Sequence, residues 1–104
     1  MGLDVVLEGE AGKEFDRISD TAGLLISLIR RRSGVNQNSC CLRFIDPYGN
    51  TVFNRLQMGE LLAELAGLRQ EASDPVQFEL VKRIEELATQ CQMRVHLYVK
   101  FYGD

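Results

Sequence analysis

Met93-Arg94-Val95-His96-Leu97-Tyr98-Val99-Lys100-Phe101-Tyr102 alternates apolar and polar side chains from end to end. Successive side chains of a strand point to opposite faces, so the pattern sends Val95, Leu97, Val99 and Phe101 toward a core and Arg94, His96, Tyr98, Lys100 and Tyr102 toward water. A strand with one apolar and one polar face belongs to a largely antiparallel sheet covered by helices on one side, because all-parallel sheets are buried on both faces.

The middle of the chain fits such a sheet. Cys41-Leu42-Arg43-Phe44-Ile45 reads as a strand, Asp46-Pro47-Tyr48-Gly49-Asn50 as a tight turn and Thr51-Val52-Phe53 as a returning strand. Asn54 with Gln57 three residues later approximates a capping box, and Met58, Leu61, Leu62, Leu65 and Leu68 form the apolar stripe of the helix it opens. Asp74-Pro75-Val76-Gln77 opens a second helix, with Asp as N-cap and Pro at the first helical position, and Leu80, Ile84, Leu87 and Cys91 trace its buried face. The short link between the two helices predicts an antiparallel helical hairpin.

Toward the N-terminus, Leu3 to Glu8 reads as the first strand, closed by Gly9-Glu10-Ala11-Gly12. Phe15, Ile18, Ala22, Leu25 and Ile29 recur at three- and four-residue steps, which predicts a helix over 13–32 ending in Arg30-Arg31-Arg32, where positive charge complements the helix dipole. Asp20-Thr21 followed by Gly23 offers a competing start for a shorter helix. Ser33 to Ser39 reads as a polar loop. The expected fold is therefore a single α+β domain over 1–104, with a mostly antiparallel sheet of about four strands, helices on one face, and the order β-α-β-β-α-α-β.

With 104 residues, 45% of them hydrophobic and 26% charged, the chain has the composition of one globular domain. A net charge of -3 provides no positive field to gather nucleic acid or an anionic membrane surface. The apolar run Leu24-Leu25-Ile26 is far shorter than the roughly 20 residues needed to cross a bilayer, and Met1-Gly2-Leu3-Asp4-Val5 does not open a signal peptide, so a cytoplasmic location is expected. Cys40, Cys41 and Cys91 with a single histidine give no zinc spacing, and no metal or cofactor is expected; reduced, packed cysteines are. Walker A, dinucleotide-binding, Gly-x-Ser-x-Gly and His-Glu-x-x-His motifs are all missing.

Two groups of side chains are candidates for function. Arg94, His96, Tyr98, Lys100 and Tyr102 would line the open face of the last strand, joined by Asp4 and Glu8 if the first and last strands are neighbours. Asp46 and Tyr48 would be presented on the rigid turn, where Asp46 also suits a turn-shaping role. Arg30 to Arg32 point around a helix and suit a solvated helix end better than a ligand site. Two large amphipathic tyrosines on one strand face suggest a non-enzymatic interaction module of the bacterial accessory type, forming a homodimer or binding another protein. A small acidic binder would suit an immunity or antitoxin-like role. The competing expectation is a small-molecule binder or enzyme whose pocket, between sheet and helices, brings together His96, Tyr98 and Asp46.

Overall fold

A computed structural model of the chain describes residues 2–20, 22–32 and 41–103. Its strands are β1 (Leu3–Gly9), β2 (Glu14–Asp20), β3 (Asn50–Asn54) and β4 (Leu97–Tyr102), and its helices are α1 (Leu24–Arg32), α2 (Met58–Gln70) and α3 (Pro75–Met93). The four strands form one sheet in the order β2-β1-β4-β3, with every neighbouring pair antiparallel. The fold is α+β, with the first and last strands side by side at its centre.

One face of the sheet carries the core. Leu3, Val5 and Leu7 of β1, Phe53 of β3 and Leu97, Val99 and Phe101 of β4 pack against Leu25 and Leu28 of α1, the Met58, Leu61, Leu65 and Leu68 stripe of α2, and Leu80, Ile84, Leu87 and Cys91 of α3. Phe53 and Phe101 meet edge to face, with ring centres 5.8 Å apart. Burying a side chain of this kind contributes about 1.5–3 kcal/mol, so the helix-covered face dominates the stability of the domain.

The helix starts follow the chemistry that the sequence implies. Asn54 accepts from the Leu56 N–H while its own N–H donates to Gln57 Oε1, which completes a capping box on a 3₁₀ turn (Arg55–Gln57) leading into α2. Asp74 accepts from the Gln77 N–H and Pro75 begins α3. Cys41 and Cys91 are buried; the Cys91 thiol donates to the Leu97 carbonyl, and burial pushes its pKa above the ordinary 9.0 against the opposing charge of Arg55.

Three segments depart from the sequence expectation. Residues Glu14–Asp20 are a strand, not the first half of a helix, because the Gly9–Gly12 turn folds them back on β1. Gly12, at φ +81°, accommodates that turn, and Gly9 N–H donates to the Lys13 carbonyl. Phe15 and Ile18 share helical spacing, but residues three apart in a strand point to opposite faces, which leaves Phe15 exposed and Ile18 in the core. The helix starts afresh at Leu24, because Asp20 accepts from the N–H groups of Leu24 and Leu25 and Gly23 adopts φ +72°. Its last residues are the arginine triplet.

The segment read as a strand over Cys41–Ile45 is instead a 3₁₀ turn (Leu42–Phe44). Glu64 of α2 accepts from the N–H groups of Cys41 and Leu42, which gives this backbone a partner other than a ladder, while Leu42 and Ile45, three apart, both reach the core. The last strand is also shorter than its alternation suggests. It starts at Leu97, Val95 is exposed, and His96 sits at φ +66°, in the left-handed region where a non-glycine residue is uncommon. The order along the chain is thus β-β-α-β-α-α-β. The predicted loop over 33–39, and Cys40, lie outside the described residues.

Candidate functional site: the uncovered sheet face

The register assembles the face opposite the helices into three rows. Ser19, Asp4, Tyr102 and Asn50 form one, Arg17, Val6, Lys100 and Val52 the next, and Glu8, Tyr98 and Asn54 the third. Lys100 Nζ lies 3.0 Å from Glu8 Oε1, and the Tyr102 hydroxyl donates to Glu8 Oε2. Tyr102 stands opposite Asp4 and Glu8 opposite Tyr98, so this contact bridges the row between them. Val6 occupies that row and is fully buried, although it points away from the helices. Glu8 itself is only 6% exposed.

The network determines how Glu8 titrates. Burial opposes its ionisation, but the Tyr102 and Lys100 hydrogen bonds and the charges of Lys100 and Arg17 outweigh that, so its pKa falls below the ordinary 4.5. Tyr102 moves above its ordinary 10.0, chiefly because it donates to Glu8, with burial adding to the effect. The bond to Glu8 raises Lys100 as well, against the opposing effect of burial. On the β2 side, Arg17 contacts Asp4 at 2.5 Å and Glu14 at 2.9 Å. Each cation of this face is therefore neutralised by a neighbouring carboxylate.

Among the residues expected to act together, Tyr98, Lys100 and Tyr102 share this face and Glu8 joins them. Arg94 and His96 do not, because both precede β4. Arg94 lies over the Phe15 ring at 5.5 Å, and exposed His96 pairs through Nδ1 with Glu10 Oε1 at 2.6 Å. Asp46 and Tyr48 stand at the other end of the strand, where the Gly103 N–H donates to the Gly49 carbonyl at 2.7 Å. Asp46 shapes the turn, accepting from the Tyr48 N–H and donating its own N–H to Thr51 Oγ1, and Tyr48 is 61% exposed. His96, Tyr98 and Asp46 consequently do not converge on one pocket. Tyr98 and His96 instead border a shallow depression of about 210 Å³ with Arg55 and Leu56.

Arg17 was hidden from sequence reasoning by its assignment to a helix; the paired glycines of the Gly9–Gly12 turn were the signal for a hairpin that would have put it on this face. A larger open groove of about 510 Å³ lies elsewhere, where the end of β2 meets the starts of α1 and α3, lined by Ile18, Leu24, Val76 and Arg83 among others. Among the described residues, no group of three or more His, Cys, Asp or Glu could hold a metal ion, and no helix is long and apolar enough to cross a membrane. The fold and face define an α+β domain with a one-sided antiparallel sheet. Comparison with known proteins finds no matching family model, curated protein or solved structure.

Proposed function

We propose that this protein is a non-enzymatic interaction module that binds another protein through the uncovered face of its sheet. The observation that carries the reading is the ordered cluster of Glu8, Lys100 and Tyr102 beside Tyr98, on the face opposite the described helices. Tyrosine supplies large amphipathic contact area and is enriched at interfaces. Side chains already held in one arrangement lose little entropy on binding. Lys100 and Arg17 are paired with carboxylates before any partner arrives, so covering them does not strand an uncompensated charge. Net charge of -3 and small size suit the capture of a basic partner, as in an immunity or antitoxin-like role.

The test compares proteins captured from the cells of origin by the wild-type chain and by Tyr98→Ser. A partner held by the wild type and lost from the variant, with the fold unchanged by circular dichroism, supports the reading. An identical captured set from both sinks it.

A further inference from the structure

The two edges of the sheet are built differently. The β2 edge carries exposed Glu14, Asp16 and Arg17 and a register shift, the devices that keep an edge from pairing with another chain. The β3 edge, Asn50-Thr51-Val52-Phe53-Asn54, has no charge, no proline and no bulge.

The Gly103–Gly49 hydrogen bond fixes which β3 residues face β4. Hydrogen-bonded pairs alternate along an antiparallel ladder, so Gly49, Thr51 and Phe53 bond to β4 while Asn50 and Val52 turn their N–H and C=O groups outward. Asn54, also outward, has its N–H taken by Gln57, which ends the free edge. No described residue supplies a partner for the outward groups of Val52, whose side chain is 50% exposed.

We infer that β3 pairs antiparallel with β3 of a second copy of this chain, about a two-fold axis at Val52. This inference rests on the reading of the protein as an interaction module and names a second surface for it. Pairing on that axis sets Val52 opposite Val52, exchanging two backbone hydrogen bonds, and Asn50 opposite Asn54, with no like charges opposed. The same operation about the middle of β2 would set Arg17 opposite Arg17, so charge selects the β3 edge. The chain on either side agrees with the axis. Tyr48 and Leu56 lie four residues before and after Val52, are 61% and 82% exposed, and each would meet the other across the axis. The product is an eight-stranded sheet whose uncovered faces run on from one copy to the next.

Molar mass by light scattering over a wide concentration range, under reducing conditions, tests the pairing. The wild type is expected to reach a dimer mass. Val52→Pro removes only an outward N–H and Val52→Lys opposes two charges on the axis, so either variant is expected to return the monomer mass with unchanged circular dichroism. Tyr98→Ser is expected to remain dimeric. A wild type that stays monomeric at every concentration, or a dimer that survives both Val52 substitutions, overturns the pairing. Neither result bears on partner capture through Tyr98, so the two readings fail separately.

Discussion

The two faces of this sheet reach order by different means. The covered face is held by contact between apolar side chains from β1, β3, β4 and the three helices, with Phe101 fully buried among them. The open face buries Val6 and most of Glu8, and holds Glu8 by the Tyr102 hydrogen bond and the Lys100 ion pair. Hydrophobic contact is non-directional and tolerant, whereas a polar cluster demands its partners in place. The first face therefore sets how stable the domain is. The second sets the shape and charge the domain presents.

The contrast can be broken most heavily on the covered side. Phe101→Ala should cost about 3–5 kcal/mol, read as a fall in the urea midpoint at constant slope. A loss no larger than that of Tyr98→Ser would mean the faces contribute alike. Gly103→Ala should follow: an added Cβ would run into the Pro47 carbonyl, and the strain of refitting backbone against backbone is expected to cost about 1–3 kcal/mol. Glu8→Gln on the open side should cost about 1 kcal/mol, because it leaves Lys100 without its countercharge.

Glu8 also predicts a pH dependence. Its folded pKa lies below its ordinary value, so its contribution is complete above 4.5 and disappears as pH falls through the folded value. Urea midpoints from neutral to acid pH should decline less steeply in Glu8→Gln than in the wild type, and parallel curves would remove the carboxylate from the account. The smallest effect belongs to His96→Gly. Relief of the left-handed backbone, worth about 1 kcal/mol, should be nearly offset by loss of the exposed Glu10 pair, leaving the midpoint almost unmoved.

Much of this was legible in the residues. The α+β class, the one-sided antiparallel sheet, the capping of α2 and α3 and the outward set Tyr98, Lys100 and Tyr102 follow from periodicity and cap chemistry, which are local. The misread segments were decided by distant partners. Glu64 reaches back from α2 to cap the 3₁₀ turn at Leu42, and β2 becomes a strand only once the Gly9–Gly12 turn lays it on β1. His96 left the expected face because the chain reverses direction there at φ +66°, which alternation alone does not reveal. The Glu8 cluster required β1 beside β4, a juxtaposition of chain ends that sequence offers only as a condition.

The claim that matters most is that the uncovered face meets the partner, and site-specific photo-crosslinking in the cells of origin tests it most directly. A photoreactive phenylalanine analogue at Tyr98 samples that face, and one at Glu86, exposed on α3, samples the helical side. The account predicts a protein adduct from position 98 and none from position 86. Adducts from position 86 alone would contradict it.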